Sequence, residues 1–302
     1  MPNFAKKIEL DGTLKELFFS FLLNRKFQVP TLSQEQEKLI SHISEQFLIS
    51  GFITKSCGFN SSHKSLVEQI KCQRKLQLMK QMTTINDLQR VACKLNERGI
   101  EHVFLKGGAL NSDGIYPSGI RFSRDIDLLV RLDMLDEAYN ELKALGFRYL
   151  NQKTQDSTRY HHFGHHLPEM INETNTKLEL HWRVTRSNKF KDCPLAEKML
   201  DNRRASNINP NIFCPKIEMT IAHLIYHSVE QHQMNLGPIF LFDLAAIFVV
   251  FGKKWPVDYD LLKKLGIEKK FELCKKFIER ASNESSFSSE SELMSNQIFK
   301  NS

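Results

Sequence analysis

Apolar residues recur at helical spacing through the first hundred positions. The stretch 14–23 is short and apolar, and in 33–50 Leu39, Ile40, Ile43 and Phe47 lie near one helical face. A longer segment runs from about Ser65 to Arg98, with Leu66, Ile70, Leu76, Met79, Met82, Ile85, Leu88 and Val91 as its apolar members. Gly99 is placed to end it as a helix C-cap. At "IEHVFLKGG" (100–108) the pattern turns to a strand that runs into two glycines, followed by a short helix that breaks at Gly114 and Pro117. "DIDLLV" (125–130) reads as a second strand, "FRYL" (147–150) as another, and "KLELHWRV" (177–184) as a later one.

The clearest helix is 133–146, with Asp133 as its N-cap, Asp136 in the first turn, and Leu135, Ala138, Tyr139, Leu142 and Leu145 on one face. Helical patterning returns over 216–232, 238–252 and roughly 258–280. The Ser-rich end offers little to bury and is expected to be disordered. The plan is an α/β (α+β) chain with four parts. These are a helical N-terminal region (1–95), a core with a short mixed sheet (96–190), a helical C-terminal region (191–281) and a polar tail (282–302).

Composition narrows the setting. The chain has 302 residues, 41% hydrophobic and 25% charged, which is ordinary globular composition. A net charge of +7 suits a polyanionic ligand such as a nucleotide, although Lys and Arg are scattered. The six cysteines stand far apart without a CxxC pair, which argues against a disulfide framework or a zinc ribbon. The N-terminus lacks a signal-peptide core, and the most apolar stretch, 238–252, is short for a bilayer and carries Asp243. A cytoplasmic protein with no membrane partner is expected.

The chemistry concentrates in 105–130 and 177–184. Alternate side chains of a strand share a face, so Asp125 and Asp127 point the same way, about 6–7 Å apart at Cα. Two buried carboxylates need a positive partner, and a hard divalent cation is the natural one. In the later strand Leu178, Leu180 and Trp182 share one face and Glu179, His181 and Arg183 the other. If the two strands are neighbours, Glu179 is a third carboxylate. Gly107 and Gly108, between a strand and a helix start, allow close approach of backbone N–H groups to a phosphate, and Lys106 and Arg121 add positive charge.

These segments together, "FLKGGAL", "IYPSGIRFSRDIDLLV", a helix ending in "ALGF", and "LELHWRV", resemble the uncharacterised nucleotidyltransferase family of the DNA polymerase β-type superfamily. Over about residues 96–184 the resemblance is strong, and it continues weakly into 216–250. It implies a nucleotidyltransferase-type core. Gly107 and Gly108 match the glycine element, Asp125 and Asp127 the metal-binding aspartates, and Glu179 the third carboxylate. Two departures stand out: the spacing from Gly108 to Asp125 is long, and the third acid is Glu rather than Asp. The implied reaction moves an NMP group from an NTP, ATP first, to a hydroxyl-bearing acceptor (a small molecule, a protein or RNA). Mg2+ or Mn2+ is held by Asp125, Asp127 and Glu179, and Lys106, Gly107, Gly108 and Arg121 lie along the nucleotide.

Other readings compete. A chain of this fold could bind a nucleotide or a protein without turnover. In "HHFGHHLP" (161–168), His161/His165 and His162/His166 have the spacing of a helical zinc site, but Gly164 and Pro168 disfavour a helix, and contact of one histidine with acceptor or phosphate is the better reading. His181 and Trp182 read as strand packing. His223 and His227 share a helix face and read as packing, with Asp243 as buried partner of one of them or of an arginine.

Overall fold

The structure, a computed structural model, describes residues 16–151, 164–185, 195–233, 237, 239–252 and 254–283. Helix α1 (16–22) leads to strand β1 (Phe27–Gln28), helices α2 (Gln34–Gln46) and α3 (Ser50–Ser56), and strand β2 (Cys57–Gly58). Ser33 caps α2 in a capping box: its hydroxyl accepts from the Gln36 N–H, and Gln36 accepts in return from the Ser33 N–H. Helix α4 (Lys64–Glu97) is 34 residues long, about 50 Å at the usual rise. Gly99, at φ +68°, ends it as expected.

Next come β3 (His102–Phe104), α5 (Lys106–Ser112), β4 (Asp125–Val130), α6 (Leu135–Ala144), β5 (Arg148–Tyr149), β6 (Met170–Ile171) and β7 (Lys177–His181). These strands form one mixed sheet in the order β3-β4-β7-β6-β5. Strands β4 and β7 are parallel, and the other pairs antiparallel. After them follow α7 (Leu195–Asp201), the hairpin β8 (Arg204–Ala205) and β9 (Phe213–Cys214), α8 (Ile217–Ile225) continued by a π-helical turn (Tyr226–Gln231), and α9 (Ile239–Phe251), α10 (Tyr259–Lys264) and α11 (Glu268–Asn283).

Two hydrophobic bodies result. Ile126, Leu128 and Leu180, from one face of the sheet, pack on Leu88, Val91 and Leu95 of α4 and Leu142 of α6. The second body joins both ends of the chain: Phe18, Phe52, Phe242 and Phe277 form an aromatic cluster, with Phe52 and Phe242 ring centroids 4.5 Å apart. Val103 and Leu129, from the other face of the sheet, belong to this second body. Helix α4 serves both, with Leu66 and Ile70 in one and Leu88 to Leu95 in the other.

Several local readings change. Asp133 does not cap α6, because a 3-10 turn (Leu132–Met134) winds first and Asp133 lies within it; Asp136 and Glu137 occupy the first turn instead. The apolar run over 258–280 is two helices, broken at Gly266 with φ +67°. Strand β7 stops at His181, where Trp182 N–H turns to the His165 carbonyl, yet Trp182 stays buried. In α4, Leu76, Met79, Met82 and Ile85 are exposed, although their spacing continues the buried stripe. Residues 284–302, and with them the expected tail, lie outside the described residues, as do His161 and His162. Among the described residues no helix is long and apolar enough to cross a membrane, and Cys57, Cys72, Cys93, Cys214 and Cys274 are free thiols.

Candidate active site

The register of the central strand pair builds the site. Asp127 lies directly opposite Glu179, and Asp125 opposite Lys177, across the parallel β4–β7 ladder. The even positions of β4 point into the sheet core, so Asp125, Asp127 and Leu129 face the helical body. Asp127 is buried, whereas Glu179 keeps a partly exposed carboxylate.

Each carboxylate has a different environment. The Asp127 Oδ1 accepts from the Lys106 ammonium at 2.7 Å and lies 3.2 Å from His181 Nε2. Burial acts to raise the Asp127 pKa, but the Lys106 charge and the His181 contact outweigh it and hold the acid well below its ordinary value. Glu179 Oε2 lies 3.2 Å from the same His181 nitrogen, and that contact lowers its pKa against the opposing effect of burial. Asp125 is pushed up to about 7, first by burial and then by the charge of Asp127. Two ionised aspartates on this face therefore call for more positive charge than Lys106 supplies.

Asp127, Glu179 and His181 each offer one ligand atom, all within 4.8 Å of one another, and this group can hold a metal ion. Its donor set, two carboxylates and an imidazole beside a third carboxylate at Asp125, is one that suits a divalent cation. His181 was legible only as strand packing. The signal for it was parity: it shares the Glu179 face of β7. Burial alone would lower its basicity, but hydrogen bonds to Asp127 and Glu179 raise it. Its buried Nδ1 has no hydrogen-bond partner among the described residues.

The other expected residues divide. Lys106 opens α5 at φ +48°, a strained value for a lysine, and its ammonium turns onto Asp127. Burial works against its charge, but Asp127 and Asp125 keep it protonated. Gly107 and Gly108 lie inside the first turn of α5 rather than ahead of it. They are not equivalent. A Cβ on Gly107 would collide with Ser123 Oγ and come within 3.1 Å of Arg121 Nη1, whereas one on Gly108 would meet Leu88 at an ordinary 3.4 Å. Arg121 is engaged inside the protein: its Nε donates to Asp243 Oδ1 at 3.0 Å, its Nη1 to the Phe122 carbonyl, and the Tyr116 hydroxyl donates to the same Asp243 oxygen at 2.7 Å. Asp243 thus has its arginine, and the pair ties the loop before β4 to α9.

A cavity of about 180 Å³ opens beside Asp125 and Asp127, walled by Lys106, Gly107, Ser123, Arg124, His227 and Ser228 among others. His227 sits where α8 passes into its π-helical turn, a distortion frequent at functional sites. Burial is the first cause that keeps His227 and His223 neutral, with the Lys106 charge next; the His223 pKa falls to about 3. Their rings lie 5.8 Å apart. His165 and His166 lie in a bend and a bridge, not a helix, and their rings stand 5.7 Å and 5.0 Å from that of His181.

A family model described as an uncharacterised nucleotidyltransferase matches residues 49–280. No curated protein matches the chain. Among solved structures, one of ANT(2″)-Ia in complex with adenylyl-2″-tobramycin superposes with a TM-score of 0.40 at 15% identity, covering 66% of this chain and 98% of that chain.

Proposed function

The chain belongs to the uncharacterised nucleotidyltransferase family, and on that premise we propose that it transfers an NMP group from an NTP, ATP first, to a hydroxyl-bearing acceptor. The observation that carries the reading is the β4–β7 register, which sets Asp127 opposite Glu179, with Asp125 on the same face, and Asp125 and Asp127 at the wall of a cavity lined by Lys106 and Arg124. Asp125, Asp127 and Glu179 would hold magnesium or manganese, with His181 alongside. Such an ion supplies Lewis-acid stabilisation of charge on the α-phosphate and the departing pyrophosphate.

The remaining steps fall to the protein's own groups. The acceptor oxygen bonds to the α-phosphorus, the bond from that phosphorus to the β-phosphate bridging oxygen breaks, and pyrophosphate leaves with the electron pair. The acceptor proton passes to Glu179, whose carboxylate is oriented by His181. Lys106 lines the cavity together with Asp127 and donates to it, so its ammonium can turn to a phosphate oxygen once the Asp127 charge is met otherwise. Gly107 lets the α5 start pack against Ser123 and Arg121, and Arg121, held by Asp243, stiffens the wall.

The test offers the protein each of the four NTPs with magnesium and cell lysate and follows pyrophosphate release. Release by wild type but not by Asp127→Asn supports transfer. Tight NTP binding with no release by either protein would instead favour a binding module.

A further inference from the structure

Among the described residues the apolar stripe along the middle of α4 stays largely uncovered. Met82 is 64% exposed and Ile85 40%, and across from them Ile208 is 66% exposed. These residues belong to a second cavity, of about 390 Å³, between α4, α5, the loop over 116–123 and the turn over 208–212. That volume lies in the range of small-molecule sites, which are mostly apolar with a few placed polar groups. Leu78, Leu88 and Ile212 continue the apolar lining, and Gln81, Gln89, Asn111 and Asn209 supply amides.

The two cavities share a wall: Arg121, Ser123 and Asp125 line both. Their charges differ. The smaller one carries Lys106 and Arg124 beside the shared Arg121, and with them Asp125, Asp127 and Asp243, so it offers both cations for a phosphate and the carboxylates that would hold its metal ion. Among the described residues the larger has only Arg121 and Asp125 as charged lining residues, and the Arg121 guanidinium is bound to Asp243. A polyanion in the larger cavity would find no free cation and would face the Asp125 carboxylate. A transfer reaction needs two substrates that meet at one point, and Asp125 marks that point.

We propose that the cavity between α4 and α5 binds the acceptor, and that the acceptor is an uncharged, largely apolar small molecule presenting its hydroxyl toward Asp125. This rests on the transfer reading above for the identity of the ligand as acceptor. The charge pattern argues against RNA, and the apolar lining against a bare sugar. The triphosphate occupies the smaller cavity, which alone of the two carries Lys106, Arg124 and Asp127, so both substrates bind at once.

The experiment titrates the full chain with Nile red, an uncharged apolar dye, and reads its fluorescence. Wild type, Met82→Glu, Ile85→Glu and Val249→Glu are compared; Val249 is an exposed apolar residue on α9 outside this cavity, and thermal melts check that each variant folds. Wild type should bind one dye, Met82→Glu and Ile85→Glu should weaken it at least tenfold, and Val249→Glu should match wild type. A saturating non-hydrolysable NTP analogue with magnesium should shift dye affinity less than twofold. Absence of dye binding to wild type, equal loss in Val249→Glu, or competitive displacement by the analogue would each overturn the assignment, the last by giving the cavity to the nucleotide. Analogue affinity, measured separately on the same variants, should stay at the wild-type value. Failure of the analogue to bind any of them would count against the transfer reading and leave the dye result standing.

Discussion

The two hydrophobic bodies are assembled in opposite ways. The sheet body draws nearly all its residues from one continuous stretch, Leu88 to Trp182, with Ile212 and Cys214 added. The helical body runs from Leu17 to Ala281 and closes through contacts between the two ends of the chain. The carboxylates stand on the sheet but face the helical body, and their cavity takes walls from both. Strand register places the charges, and long-range packing decides what surrounds them. Within the helical body, Arg121 and Tyr116 reach Asp243, 122 and 127 residues further along the chain.

The largest effect is expected at Asp127. Asp127→Asn should cut transfer about 10³-fold or more, since the charge that holds a catalytic cation is worth several kcal/mol. It should also destabilise the protein, because Lys106 and His181 lose a buried partner. Turnover and a denaturant melt on the same sample test both; near-normal turnover at saturating magnesium would break the assignment.

Asp243→Asn probes the other body. It leaves the buried Arg121 guanidinium with a neutral partner, at a cost on the order of 3 kcal/mol. The double variant Arg121→Met/Asp243→Leu should recover most of that loss, because apolar replacement of a buried pair is often neutral. Urea unfolding of the two variants checks the contrast; equal destabilisation would mean that the pair is not acting as a buried ion pair.

Asp125 should behave oppositely to its neighbour. Its folded-state pKa is raised from 3.8 to about 7, so its contribution to stability is complete below 3.8 and is lost as pH rises through 7. Asp125→Asn removes that loss. Without divalent ions, the variant should be more stable than wild type at pH 8 by on the order of 1 kcal/mol, and no more stable at pH 3.5. Melts in chelator across pH 3.5–8 would show a flatter profile for the variant; parallel profiles would refute the repulsion argument.

A further contrast separates the glycines. Gly107→Ala must displace Ser123 or Arg121 and should cost about 1–3 kcal/mol. Gly108→Ala meets only ordinary contacts with Leu88 and Phe104 and should change stability by less than about 1 kcal/mol. Thermal melts of the two single variants decide whether the first position is the constrained one.

What was legible follows the same division. Alternation in "DIDLLV" and "LELH" placed Asp125, Asp127 and Glu179 on faces that the β4–β7 register then brought together, because strand parity is a local property. Helical spacing located α2 and α4 for the same reason. The exposed middle of α4 was not legible, since spacing reports a face but not whether anything covers it. Nor was the engagement of Arg121 by Asp243, which depends on the far end of the chain folding back. His181 looked like packing because a buried histidine usually is; only its distance to two carboxylates distinguishes it.

The most direct measurement follows the position of a label. ATP labelled at the α-phosphate and ATP labelled at the γ-phosphate are incubated separately with the protein, magnesium and a small-molecule fraction of cell lysate, alongside Asp127→Asn. The account predicts that α-label becomes joined to an acceptor while γ-label appears only in pyrophosphate, and that the variant does neither. Label from the γ-position on the acceptor, or equal α-transfer by Asp127→Asn, would contradict it.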